Sequence, residues 1–309
     1  MQKPRSNPAS HSGARHWAPL ARFIEAEARL GAWAERRRAT LVLYEFVRFG
    51  IKQGWACLFG GLMLALLIAT HLAYPTGAWL ARYDFLFLAA LLIQAGMLAF
   101  KLETWEEAKV ILIFHIVGTA MEIFKTAVGS WIYPEPCIFR IGGVPLFSGF
   151  MYAAVGSYIA RAWCLFDFQF TRHPPLWSLA TLSAGIYVNF FAHHYTLDIR
   201  LGLFALAALL FGPATIHYKI WRVYRSMPLL LGLVLVALFI WLAENIGTFA
   251  KAWHYPNQRS AWELVPITKL GAWFLLMIIS YTLVVAVHGV QAYGCGAQAT
   301  KPLSRGDSA

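Results

Sequence analysis

Charge is the scarcest property of this chain. Of its 309 residues 13% are charged, and only 15 are acidic against 26 lysines and arginines, while 59% are hydrophobic. A globular domain carries about 25% charged residues and about 45–50% apolar ones, so a soluble domain with an ordinary polar surface is excluded. Cysteine is scarce too. Cys57, Cys137, Cys164 and Cys295 show no C-x-x-C or C-x-H spacing, so no disulfide framework or cysteine metal motif is implied. No phosphate-cradling glycine loop or nucleophile elbow occurs, and Gly142-Gly143 reads as an ordinary loop signal. The first apolar run follows about fifty polar-to-mixed residues, the wrong order for a secretory signal peptide.

What the chain has in abundance is long apolar sequence. Ala56–Ala73, Phe85–Phe100 and Pro228–Ala243 are nearly free of charge, and a helix needs about 20 apolar residues to cross the hydrocarbon of a bilayer. The pattern predicts an all-α, polytopic transmembrane bundle with about eight spans, near 53–73, 84–101, 107–128, 145–164, 176–195, 199–216, 228–249 and 268–290. Tyr74-Pro75-Thr76-Gly77, His173-Pro174-Pro175 and Pro213 punctuate them.

The net charge of +11 is concentrated before the first span, in Arg15, Arg22, Arg29, Arg36, Arg37, Arg38, Arg48 and Lys52. Basic residues flanking a span set topology and meet anionic lipid, so the partner is membrane lipid and not nucleic acid. Residues 1–50 read as a basic cytoplasmic arm whose stretch from Leu20 to Arg38 alternates apolar and charged residues. This is an amphipathic helix, lying on the inner membrane face or docked on the protein's own loops. Residues 293–309 read as a disordered tail. The positive-inside rule places both termini in the cytoplasm.

Comparing the chain with itself reveals a repeat. E-I-F-K-T-A-V-G-S-W-I-Y-P from Glu122 and E-N-I-G-T-F-A-K-A-W-H-Y-P from Glu244 both fit E-x3-T-x4-W-x-Y-P. Glu122 pairs with Glu244, Thr126 with Thr248, Trp131 with Trp253 and Tyr133 with Tyr255. A Val-Pro follows each copy, at Val144-Pro145 and Val265-Pro266. Four spans per unit, 51–175 and 176–292, make the halves parallel repeats, and such halves commonly bind substrate where they meet. Interfacial anchoring explains the duplicated aromatics. It does not explain a glutamate two to three turns inside the apolar end of each helix.

An acid inside the membrane costs about 2.5–3.5 kcal/mol on insertion scales and marks a functional site by default. Glu122 shares a helix face with His115, Gly118 and Thr126, and Glu244 with Gly247, Thr248 and Lys251. Each glutamate is a candidate general acid; the plainer reading pairs Glu122 with Lys125 and Glu244 with Lys251 as structural ion pairs. The fifth span ends in a polar cluster with Asn189 and His193 four apart and His194 and Asp198 four apart. Three uses fit it: a metal site, with His115 joining His193, His194 and Asp198; a proton relay or set of substrate hydrogen bonds; or a satisfied interfacial cluster. The sequence names no cofactor.

H-x2-G-x3-E at 115–122, G-S-W-I-Y-P-E at 129–135, G-V-P-L-F-S-G-F-M-Y at 143–152, D-F-Q-F-T-R-H-P-P at 167–175, N-F-F-A-H-H-Y at 189–195 and A-E-N-I-G-T-F at 243–249 resemble the YoaT-like family of bacterial integral membrane proteins, over about residues 40–292. A more distant resemblance, to membrane carotenoid hydratases and heterodimeric-type lycopene cyclases, rests on Glu122, Thr126, Gly129, Tyr133 and Gly143-Val144-Pro145-Leu146. Trp131 and Ala127 depart from that pattern. This second likeness implies a lipid-soluble, isoprenoid-like substrate. Glu122 or Glu244 would protonate an alkene, and the aromatics Trp131, Trp253, Tyr133 and Tyr255 would stabilise the cation. A proton-coupled transporter of a small solute and a structural assembly factor fit the same sequence.

Overall fold

The computed structural model of the protein describes residues 29–293 except Ala32, His194 and Arg259. Most of the expected amphipathic arm, the tail from 294 with Cys295, and His194 therefore lie outside the described residues. The chain divides into two compact units at Gly50–Ile51. In the first unit Thr40 Oγ1 donates to the carbonyls of Ala34 and Arg37, both at 2.8 Å, at the start of a helix.

Helices occupy all eight apolar stretches. They are α1 (Arg38–Ala56) with α2 (Leu58–Ala73), α3 (Arg82–Ala99), α4 (Trp105–Ala127), α5 (Phe147–Phe166), α6 (Leu176–Ala192), α7 (Arg200–Phe211), α8 (Leu229–Phe249) and α9 (Thr268–His288). Among the described residues four helices are long and apolar enough to cross a membrane, within α3, α4, α8 and α9. The count is five if α1 and α2, broken at Cys57, form one span. With 12 residues, α7 reaches only about 18 Å at 1.5 Å per residue, against about 30 Å of hydrocarbon. These helices turn large apolar side chains outward; Leu92, Leu209 and Phe239 are 72%, 75% and 69% exposed. A surface of this kind requires lipid or a partner to cover it. Trp79, Trp105 and Trp177 stand exposed just before or at helix starts, the positions of an interfacial aromatic belt.

Local chemistry sets the helix ends. Thr104 and Glu107 form a reciprocal capping box at α4: Thr104 Oγ1 accepts from the Glu107 amide, and Glu107 Oε2 accepts from the Thr104 amide at 2.7 Å. α7 stops at Phe211 and not at 216, because Pro213 lacks an amide donor and disfavours helix in the residue before it. The following Thr215–Lys219 is a strand, so the all-α expectation missed a small sheet. It joins β3 (Gln169–Thr171), β4 (Thr215–Lys219) and β5 (Tyr224–Pro228), all antiparallel. A two-residue hairpin joins β1 (Arg140–Ile141) to β2 (Val144–Pro145) through Gly142 and Gly143, both at positive φ, the requirement of a type I′ turn.

α5 is the central helix, with most of its residues buried, and it packs along α4, α2, α3 and α9. The loop after α4 is held by Asp84, fully buried in α3, whose carboxylate accepts the amides of Ile138 and Phe139 at 2.8–3.0 Å. Arg82 donates to Glu135 at 2.7 Å and to the Ala250 carbonyl at 2.6 Å, tying that loop to the end of α8.

Between α3 and α4, Glu103 lines a cavity of about 210 Å³ with Trp55, Lys101 and Arg161. Burial pushes its carboxyl from 4.5 up to about 6, against the pull of the Gln94 hydrogen bond and the Arg161 charge. The folded state therefore favours the neutral acid. Its contribution is complete below about pH 4.5 and lost as pH rises through about 6. Relative to wild type, Glu103→Gln should gain thermal stability between pH 5 and pH 7.5 in detergent; parallel melting curves across that range would refute the assignment.

Candidate functional site

Glu122 and Glu244 each lie five residues before the end of their helices, α4 and α8. For α8 this is the end opposite the sheet, about 24 Å from Pro228 by helix rise. Each carboxyl group is buried, 4% exposed, among ring donors. Glu122 Oε2 accepts from Trp131 Nε1 at 2.7 Å and Tyr133 Oη at 2.6 Å, and its Oε1 accepts from Tyr152 Oη at 2.8 Å. Glu244 accepts from Tyr255 Oη on one oxygen and from Trp273 Nε1 on the other. The partners are these rings and not Lys125 or Lys251; Lys251 lies beyond the end of α8 at φ 54°.

The two cages interlock. The Trp131 ring meets the Tyr255 ring edge-on at 6.0 Å, and Tyr152 sits 6.2 Å from Trp273. Ile132 and His254, flanked by matched Trp and Tyr residues, exchange backbone hydrogen bonds at 3.1 and 3.2 Å. This antiparallel bridge joins the loop after α4 to the loop after α8. Tyr133 and Tyr255 lie in loops outside the helices. Burial and then the adjacent glutamate push both phenols well above their ordinary 10, so both are hydroxyl donors at neutral pH.

One cavity of about 240 Å³ borders both cages. Trp131, Tyr152, Tyr255 and Trp273 line it, with Asn189, His193, Lys125, Arg200 and Lys269 around them. Tyr152 approaches because residue 118 is glycine: a Cβ there would fall 2.6 Å from Tyr152 Cβ.

The remaining sequence candidates fall elsewhere. Trp253 does not join Glu244; its ring lies over Gly247, where a Cβ would be 2.2 Å from Cη2. The absence of a side chain at Gly247 leaves the space that Trp253 fills. His115 lies against Phe150, ring centroids 4.4 Å apart. Its Nδ1 and the hydroxyls of Thr119 and Thr126 are buried without partners among the described residues. Thr248 accepts from Trp262 Nε1 at 3.2 Å and donates to the Asn245 carbonyl.

Asn189 and His193 share the face that lines the cavity, but His193 caps α6 and Asp198 is in the following loop. The helical spacing read for His194 and Asp198 therefore does not apply. Asn189 clamps that loop: its Nδ2 donates to Asp198 and its Oδ1 accepts the Ile199 amide, both at 3.1 Å. At Asp198 burial pushes the carboxyl up, but bonds from Asn189 and the Arg200 amide, with the Arg200 charge, outweigh it and hold the group below its ordinary value. Among the described residues no three His, Cys, Asp or Glu side chains converge as a metal site, and His115 is not in the cavity wall that holds His193.

Sequence reasoning missed Tyr152, Trp273, Lys125 as a cavity residue, Arg200 and Lys269. A signal for the first two was present. Val144 to Val265 is an offset of 121, and the same offset carries Tyr152 onto Trp273.

A family model described as "Protein of unknown function (DUF817)" matches residues 45–281, and the chain belongs to that family. It is similar to "Uncharacterized protein YoaT" of Bacillus subtilis (strain 168), 42% identical over 247 residues, covering 80% of this chain and 93% of the relative. No solved structure matches.

Proposed function

We propose that the protein is a membrane-embedded acid–base enzyme acting on a lipid-soluble substrate that enters the cavity beside Glu122 and Glu244. The carrying observation is that Tyr152 and Tyr255, each hydrogen-bonded to a buried glutamate, line the same cavity. When Glu122 takes a proton, one of its oxygens becomes a donor, and a hydroxyl partner can turn to accept from it. Tyr152 is the hydroxyl partner on the cavity wall. An indole N–H has no lone pair to pass a proton on, whereas a phenol accepts one proton as it gives another. The glutamates act as proton reservoirs and the phenols as the groups that meet substrate, with Tyr133, Trp131 and Trp273 positioning the acids.

The same reading takes the halves 51–175 and 176–292 as parallel repeats of four helices, making eight spans with the shorter helices included. Both termini lie in the cytoplasm of a bacterial inner membrane. The reciprocal Ile132–His254 pairing and the matched cages support it. Cationic side chains around the cavity disfavour a free carbocation there, so proton transfer to or from a polar group fits better than alkene protonation.

A cavity between repeats also suits proton-coupled transport of a small solute. The test is complementation of a deletion strain, with its membrane lipids profiled. Wild type restores the profile, and Tyr152→Phe with Tyr255→Phe, or Glu122→Gln with Glu244→Gln, does not. Full restoration by both double variants defeats the enzyme reading. An unaltered profile with solute-driven proton flux in proteoliposomes replaces it with transport.

A further inference from the structure

The cavity wall is one-sided in charge. Among the described residues Lys125, Lys269 and Arg200 line it, and no carboxylate does. Lys125 is 5% exposed, its Nζ 4.1 Å from the Phe190 ring centroid, and it feels the like charges of Lys269 and Arg200. Lys269 Nζ lies 4.5 Å over Tyr255. Two acids act from outside the wall: Asp198 pairs with Arg200 at 3.3 Å, and Glu244 attracts Lys269 from behind Tyr255 and Trp273. The first turns of α7 and α9 hold Arg200 and Lys269, and helix N-termini add partial positive charge. Like charges crowded into a concave, ring-lined site repel strongly at low dielectric, and an anion between them relieves that repulsion.

The two halves differ at these positions. Lys125 corresponds to Gly247 and Lys269 to Ser148, by the offsets of 122 and 121 that match the glutamates and the Val-Pro pairs. The matched sequences thus differ in charge at Lys125 and Lys269, both in the cavity wall. The cavity wall also carries apolar side chains, among them Ile186, Leu275 and Leu276.

We infer that the cavity binds an amphipathic anion, an apolar chain ending in a phosphate or carboxylate, with Lys125, Lys269 and Arg200 around the charged end. This names the substrate class for the function proposed above and rests on that site. The probes are dodecyl phosphate, dodecanoate, neutral dodecanol and inorganic phosphate. Each is titrated into the full chain in a neutral maltoside detergent and followed by tryptophan fluorescence (Trp131 and Trp273 line the cavity) and by thermal melting.

At least one amphipathic anion should bind at least tenfold more tightly than dodecanol, and Lys125→Met and Lys269→Gln should each weaken it about tenfold, the worth of one charge-assisted contact. Dodecanol binding as well as the anions overturns the inference, as does undiminished affinity in both variants that melt like wild type. Equal affinity for inorganic phosphate overturns its amphipathic part. Anion binding by the wild-type chain without any change in lipid profile would sink the enzyme proposal and leave this one standing.

Discussion

Glu122→Ala should lower the stability of the folded protein by about 3–6 kcal/mol, because it strands three buried donors at about 1–3 kcal/mol each. Trp131 Nε1, Tyr133 Oη and Tyr152 Oη converge on that carboxyl group from a loop and from α5. Two opposing effects limit the figure. Removing a buried acid returns its desolvation cost, and small movements let some donors find water. Glu244→Ala, with two donors stranded, should lose less, about 2–4 kcal/mol. Glu122→Gln keeps one carbonyl oxygen but turns an amide N–H₂ toward donors, and should fall between wild type and alanine. Denaturant titration in detergent, read by tryptophan fluorescence, gives the order wild type, Gln, Ala at position 122. Midpoints that coincide for all three would mean that the donors have other acceptors and the cages hold nothing together.

Gly118→Ala should cost about 1–3 kcal/mol, the usual range for overpacking, and should disable the site as Tyr152→Phe does. The added methyl falls 2.6, 2.7 and 2.9 Å from Tyr152 Cβ, Cγ and Cδ2. The nearest of these is Cβ, which no rotamer can move, so α4 and α5 must separate, and Tyr152 Oη is drawn from Glu122. Gly96→Ala in α3 is the control. Nothing lies within 4 Å of its added Cβ, and replacing a mid-helix glycine by alanine gains up to about 1 kcal/mol. The pair separates sterics from backbone propensity. If Gly118→Ala melts with Gly96→Ala and keeps activity, the close approach of α4 to α5 is not what sets Tyr152.

Both predictions depend on residues of unequal legibility. Glu122 and Glu244 stood out because an acid in an apolar run has few neutral explanations, and Tyr133 and Tyr255 followed from the duplicated W-x-Y-P. Trp253 was read by the same rule and does not join its glutamate. The rule assumed that equivalent residues have equivalent neighbours, and Gly247, with no side chain, gives Trp253 another surface. The polar cluster after α6 was misread because helical spacing was carried past Ala192 into a loop, where Asp198 meets Asn189 through chain reversal. The β3–β4–β5 sheet escaped because Thr215–Lys219 follows an apolar run, and hydropathy alone extends the helix past Pro213.

Composition and hydropathy by themselves determined that this is a largely helical protein with apolar helices suited to a membrane, where those helices lie, and that an acid sits near the end of each of two of them. Those conclusions follow from local sequence: a charge-poor run of sufficient length has little alternative to a helix covered by lipid. The tertiary structure decided which rings cap each acid, that one cavity borders both, and that Lys125, Lys269 and Arg200 meet around it. These residues are 69 to 144 positions apart. No period or motif within one helix encodes which side chains from different helices come within a few ångströms; packing around α5 does.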